Sequence, residues 1–337
     1  MRRLAPVLLV LLGTGVGVAL AEVFVRVADP HVRDHVLPSG FFVIDAKLGW
    51  RQRPDHTVTH HSRFFKVSYT TNARGYRDKA RPDTKRDQRT RILLYGDSQV
   101  LGWGVPQGLR FSDLLETRHP ELEVWNLAVM AYGLDQQLLD YEQRDQGLEA
   151  DAVAFFVSSI TLRRMETGSY ARKHKPRFVL DRSGALQLVP IPRNATTWTT
   201  IVYSLFGRWY LPYFLERRLA VAGEMLRLTR APADTRRSAK RVTLSALTRP
   251  VLARASAVAR SRGHQLLLLT NLADPALQSL RQLCAEDGIR LVAVEFPDGP
   301  FIFSTSDPHW NQRGHERVAD QFAQQWAMQA EEWAAPR

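Results

Sequence analysis

The chain has 337 residues, 45 % of them hydrophobic, enough for one large domain, or a domain with an appendage, to bury a core. Formal charge is +12, and ten Lys or Arg against one acid fall within residues 227–262. That local excess speaks to a partner surface, such as anionic lipid or an anionic polymer. No zinc-finger spacing, RNP-like aromatic motif or basic zipper accompanies it, which disfavours nucleic acid. The single cysteine, Cys284, excludes an intrachain disulfide and a thiolate metal cluster, and reads as a buried small hydrophobe.

In chain order, Arg2 and Arg3 precede an apolar run over residues 4–25 whose one charge is Glu22. A basic flank before such a run is the pattern of an export signal. Ala19-Leu20-Ala21 offers an A-x-A cleavage site, yet the run approaches the roughly 20 residues that span a bilayer. Residues 1–28 are read as an uncleaved signal anchor, with a cleaved signal peptide and a secreted product as the alternative. In either case the basic flank stays inside, and the rest of the chain lies on the periplasmic or extracellular side. Residues 29–90 are polar and rich in turn formers, and are read as a β-rich extension. Within it, 67–71 alternates as a half-buried strand should, and 72–75 is the turn after it.

From residue 91 a repeating pattern begins. Strand-like runs at 92–95, from Val124, and at 152–157, 265–270 and 291–294 alternate with helical periods at 111–117, 134–141, 243–262, 275–285 and 314–326. Pro250 either kinks the 243–262 helix or marks its boundary. Strands apolar on both faces, alternating with helices, specify an α/β domain over 91–326 with a mainly parallel sheet covered by helices. Residues 161–242 interrupt it. There a hairpin is expected, with strands at 177–180 and 185–189 around a Gly-containing loop. Tyr203, Phe206, Trp209, Tyr210, Tyr213 and Phe214 follow at near-helical spacing. They read as an aromatic helix face packed on the sheet or as an interfacial surface beside the basic segment.

The 92–95 strand runs straight into Gly96-Asp97-Ser98. Alone, that tripeptide could be a strand-ending turn in which Asp97 bonds the backbone. A serine hydroxyl becomes a nucleophile only when an imidazole takes its proton and a carboxylate fixes the imidazole's tautomer. Near the other end of the chain, Asp307 and His309 stand two apart in a segment that Pro308 keeps extended or turn-like, so both side chains point to one side. Both segments follow a predicted strand and precede a helix, which puts them at the carboxyl edge of a parallel sheet, where open α/β sheets hold their ligands. Jointly, Ser98, His309 and Asp307 form a candidate catalytic set. His60 and His61 sit in a strand-like stretch and face opposite ways, so a metal site there is disfavoured. His119, His174 and His315 gain no comparable support. The chemistry calls for no metal and no cofactor.

Gly96-Asp97-Ser98 directly after a strand, with Asp307-Pro308-His309-Trp310-Asn311 and Gly314 near the C-terminus, resembles the SGNH (GDSL-type) hydrolase superfamily. The style is that of membrane-anchored bacterial members found with extracellular polysaccharides. Residues 72–77 and 126–133 also resemble segments of such proteins, and the likeness covers 70–160 and 263–326. The α/β-hydrolase elbow G-x-S-x-G is absent, since Val100 occupies its last position. The resemblance implies a flavodoxin-like three-layer α/β/α sandwich, with Ser98 as nucleophile, His309 as general base and Asp307 orienting it. The Ser98 N–H would be one oxyanion donor. Ala131 stands where the family has a glycine, its N–H still able to donate. Ser158 or Ser159 stands where an asparagine is usual, and loss of one good donor costs on the order of 10²–10³ in rate. The family's Asp-x-x-His spacing is shortened here to Asp-x-His, as in related polysaccharide O-acetyltransferases. The implied activity is an extracytoplasmic esterase acting on an ester-bearing substrate, such as an acetylated glycan. The alternatives are an O-acetyltransferase with the same triad and a catalytically silent glycan-binding or assembly protein.

Overall fold

The computed structural model describes residues 4–34, 36–85, 88–143, 147–170, 173–193, 209–215, 217–219, 244–271, 277–296 and 299–333. Two compact units emerge: Gly40–His60, Phe64–Thr199 and Arg241–Arg337 form the larger, and Met1–Ser39, His61–Arg63 and Thr200–Lys240 the smaller. Most of residues 40–90 and the described residues 161–193 belong to the larger unit.

The larger unit is built on five strands: β5 (Thr90–Tyr95), β6 (Leu122–Asn126), β7 (Ala152–Val157), β12 (Gln265–Asn271) and β13 (Arg290–Val294). Their order is β13-β12-β7-β5-β6, and every pair is parallel. Counted along the chain this is a 2-1-3-4-5 sheet, whose direction of winding reverses between β5 and β7. Leu93, Tyr95, Val153, Phe155, Val157 and Leu268 belong to one core with α4 (Leu134–Gln143), α6 (Thr248–Ser261) and α7 (Gln278–Glu286). Strand alternation sends Ile92, Leu94, Ala154, Phe156 and Leu269, all buried, to the opposite face. On that side α3 (Phe111–Arg118) packs on β6, and α8 (Gln312–Trp333) packs on β13 and on α3. Both faces are therefore covered, which is why these strands read as continuous apolar runs. Each fully buried aliphatic or aromatic side chain contributes about 1.5–3 kcal/mol.

The helices begin and end for local reasons. In α6 the buried residues Val251, Leu252, Ala255 and Ala259 fall on one stripe. The helix starts at Thr248, so Pro250 lies in its first turn, where its missing N–H costs nothing. Pro250 thus marks the boundary of the helix expected over 243–262. α8 runs in both directions past the expected 314–326.

The extension contributes two hairpins, β1 (Phe42–Asp45) with β2 (Gly49–Gln52) and β3 (Thr57–His61) with β4 (Lys66–Thr70). Leu48 and Trp50 enter the sheet's core. Of the interruption, α5 (Ser159–Met165), the short pair β8 (Ser169–Tyr170) and β9 (Lys173–His174), and the expected hairpin β10 (Arg177–Leu180) with β11 (Leu186–Val189) are described. The basic segment divides: residues 227–243 lie outside the described residues. Beyond them, Arg254 pairs with Glu142 at 2.6 Å, Arg262 donates to the Tyr141 carbonyl at 2.7 Å, and Arg249 pairs with Glu286. Those three cations have partners within the chain.

In the smaller unit, α1 (Leu4–Ala28) is long and apolar enough over Ala5–Ala28 to cross a membrane. Near its end the Glu22 carboxylate accepts the backbone N–H groups of Tyr210 (2.9 Å) and Leu211 (2.8 Å) at the start of a helical stretch over 211–215. Arg26 and Arg33 lie over the Tyr210 ring, each 5.0 Å from its centroid. Of the aromatic run, Tyr203 and Phe206 lie outside the described residues. Tyr210 meets these arginines and Arg33 also covers Tyr213.

Candidate active site

Strand β5 ends at Tyr95 and the chain must turn at once. Gly96 allows it, since a Cβ there would come within 2.3 Å of Val100. Asp97 caps α2 (Ser98–Leu101): its Oδ1 accepts the Gln99 N–H at 2.9 Å. Its Oδ2 accepts from Arg164 Nη1 at 2.8 Å, and both partners are buried. Gly102, at φ 86°, stops α2 after one turn in a conformation that glycine takes without strain. Ser98 is thereby held as the first residue of a one-turn helix, 5 % exposed, its N–H among the donors a helix leaves without an intrahelical partner.

The other half of the site is β15 (Asp307–Trp310), antiparallel to β14 (Ile302–Ser304). β14 was not among the expected strands. The period of two places Asp307 and His309 on one side, as expected: His309 Nδ1 lies 2.6 Å from Asp307 Oδ1. His309 Nε2 lies 2.8 Å from Ser98 Oγ, across 211 residues of sequence. Asp307 is 0 % exposed. Burial pushes its carboxyl up, but the hydrogen bond and charge of His309 and the Trp103 N–H outweigh it and hold the group below the usual carboxylate range.

Two residues absent from the sequence reading join these halves. Gln99 uses both ends of its amide: Nε2 donates to the Pro308 carbonyl at 3.2 Å and Oε1 accepts the Trp310 N–H at 2.9 Å. Trp103 donates its indole N–H to Asp307 Oδ2 at 3.1 Å, and its ring stacks on His309 with centroids 4.9 Å apart and planes 24° apart. A signal for Trp103 was available, since a lone indole stands between two glycines, both at positive φ. The loop that carries it is fixed by Arg77, whose guanidinium donates to the carbonyls of Leu101, Gly102 and Val105. Burial, together with the nearby Arg110 charge, lowers the Arg77 pKa to about 9. His60 is buried and His61 exposed, facing opposite ways as expected.

The other expected site residues lie at the ends of the strands flanking β5. Ala131, after β6, sits at φ 67°, the left-handed region that explains a glycine preference at this position. Its loop is braced from below: Val129 N–H donates to the Gly96 carbonyl (3.1 Å), Trp50 Nε1 to the Met130 carbonyl (2.9 Å) and Gln52 Nε2 to the Ala128 carbonyl (3.0 Å). Ser158, after β7, is the N-cap of α5: its Oγ accepts the Thr161 N–H at 3.2 Å, and its own N–H goes to Thr161 Oγ1 at 2.8 Å. The backbone N–H of Ser158 is therefore spent, while its hydroxyl is engaged here as an acceptor. Ser159 is the first residue of α5, half-buried. Arg164, also missed from sequence, connects the three strand ends, its Nη1 reaching the Tyr132 carbonyl (3.3 Å) as well as Asp97.

No family model matches the chain, and no curated protein sequence matches it. Solved structures similar to it include a member of the lipolytic G-D-S-L family from Veillonella parvula DSM 2008, at 11 % identity over 70 % of this chain and 97 % of that one, TM-score 0.38. A GDSL-like lipase from Bacteroides thetaiotaomicron VPI-5482 aligns at 10 % identity over 70 % and 86 %, TM-score 0.35. A two-domain esterase active on acetylated mannans aligns at 11 % identity over 71 % of this chain and 49 % of its own, TM-score 0.37. With every TM-score below 0.5, the case for a function rests on this chain's own geometry.

Proposed function

We propose that the chain is a serine esterase of SGNH type, working through an acyl-enzyme. The observation that carries this is the unbroken hydrogen-bonded line from Ser98 Oγ through His309 to the buried Asp307 carboxylate. It lies beyond β5, where the sheet reverses its winding. Because Asp307 holds the Nδ1 proton, the Nε2 lone pair faces Ser98 and can take its proton as Oγ attacks the ester carbonyl. The tetrahedral intermediate collapses as His309 returns that proton to the leaving alcohol, and a water or alcohol activated the same way removes the acyl group. Charge on the carbonyl oxygen would be met by the Ser98 N–H, the Ala131 N–H and a hydroxyl of Ser158 or Ser159 in place of an amide.

The ester we assign is one carried by an extracytoplasmic glycan. Support comes from the family resemblance of the Asp-x-His segment and from the apolar helix α1, which follows Arg2 and Arg3 and would tether the domain outside the cytoplasm. Water as acceptor makes the protein an esterase, and a sugar hydroxyl makes it an O-acetyltransferase. The same three residues serve both.

The test is covalent labelling by a fluorophosphonate probe of wild type, Ser98→Ala and His309→Ala. Labelling of the wild type that disappears in both variants is the expected result. A folded wild type that takes no label would remove catalysis and leave the fold as a binding scaffold.

A further inference from the structure

We propose that Trp103 is a positioning residue of this site, holding Asp307 and His309 in register with one side chain. The proposal rests on the roles given above to Ser98, His309 and Asp307. Its ground is a double contact. The indole N–H donates to Asp307 Oδ2, the oxygen that His309 does not use. The indole face also lies on the imidazole at 4.9 Å and 24°.

Each contact has a separate consequence. A buried carboxylate with one oxygen unsatisfied would rotate to seek a donor, and the 2.6 Å bond to His309 would loosen. The Trp103 N–H removes that freedom. The ring face opposes tilting of the imidazole out of the line to Ser98, and its quadrupole favours the imidazolium that forms when His309 takes the serine proton.

The indole is itself held from behind by the extension. His60 stands edge-on to it at 4.6 Å, and Phe65 at 5.9 Å. The Tyr69 hydroxyl accepts the N–H of Gly104, the next residue, at 2.9 Å. The β3–β4 hairpin therefore acts as the buttress of the acid–base pair, a job for the N-terminal extension that its sequence does not announce.

The experiment compares wild type with Trp103→Phe, which keeps a ring face and loses the donor, and Trp103→Leu, which loses both. Three quantities are read on the full chain: the fluorophosphonate labelling rate, kcat and KM for p-nitrophenyl acetate, and the far-downfield proton resonance of the His309 Nδ1–H. Trp103→Phe should slow labelling and kcat about 10-fold and Trp103→Leu about 100-fold, with KM unchanged. The downfield resonance should move in the first variant and be lost to exchange in the second. Wild-type rates in both variants with an unmoved resonance would overturn the proposal. If the wild type itself fails to label, the esterase reading falls. The resonance still decides whether Trp103 orders the pair, because it is read without turnover. Should Trp103→Leu fail to fold, Trp103→Phe alone carries the comparison.

Discussion

His315 should make the protein lose stability in mild acid, through a mechanism separable from its other titrating groups. The ring is fully buried, stacked on Phe111, and its Nδ1 accepts the Phe111 N–H at 3.1 Å, one of the donors at the start of α3. Burial first, then the charges of Arg110 and Arg77, opposed by Asp113 and reinforced by His309, lower its pKa to about 3. The folded protein thus keeps His315 neutral where the unfolded chain takes up a proton at about 6.5. The sign follows: the contribution is intact above about 6.5, is lost as pH falls toward 3, and levels off once both states are protonated. From pH 7.5 to 5.0 the loss is roughly 2 kcal/mol, and its limit near pH 3 is about 5 kcal/mol. The assay is urea unfolding of detergent-solubilised wild type and His315→Gln, whose amide oxygen can still accept the Phe111 N–H. Other groups titrate alike in both proteins and cancel in the difference. Wild type should lose roughly 2 kcal/mol more than the variant across that interval. Parallel losses would refute the reasoning.

Gln99→Ala removes the two hydrogen bonds that Gln99 makes to β15 and should lower stability by about 1–2 kcal/mol. It should slow fluorophosphonate labelling of Ser98 by about 10–100-fold, and an undiminished labelling rate would confine Gln99 to packing. Gly104→Ala places a Cβ 2.5 Å from Phe65 and 2.6 Å from Phe303 on a residue at φ 70°. The combined strain and overpacking should cost about 2–4 kcal/mol in urea unfolding, and an unshifted midpoint would show that the loop has room.

The sheet was legible because its strands are buried on both faces, so each announces itself without knowledge of its partner. Ser98, Asp307 and His309 were legible because each pairs a distinctive side chain with a distinctive backbone: the sharp turn at Gly96, and the extended step at Pro308. What escaped is what one-dimensional patterns do not encode. β14 is three residues long and exists through its partner β15. Gln99, Trp103 and Arg164 are ordinary residues by composition, and their importance lies in what stands opposite them. The basic character of 244–262 was visible, but Glu142 and Glu286, which engage Arg254 and Arg249, are far away in sequence. Counting charge within a window cannot see such partners.

How Asp307 and His309 are brought to Ser98 follows from the same geometry. β15 is a four-residue strand paired with a three-residue one, too little to fix two side chains to within a hydrogen bond by its own ladder. The missing constraint comes from the Ser98 side. Gln99 and Trp103 lie one and five residues after Ser98 and catch Pro308, Trp310, Asp307 and His309 directly. Any shift of α2 therefore carries His309 with it, and Ser98 and His309 stay in register although 211 residues separate them. α2 is in turn fixed by Arg77, which donates to the Leu101 carbonyl, and by Asn126, which donates to the Val100 carbonyl at 2.8 Å. The loop after β6 is fixed by Trp50 and Gln52 of the extension. The hairpins of the extension are therefore part of the lock, and a change in β1–β2 or β3–β4 reaches Ser98, His309 and Asp307 through Trp50, Gln52 and Trp103.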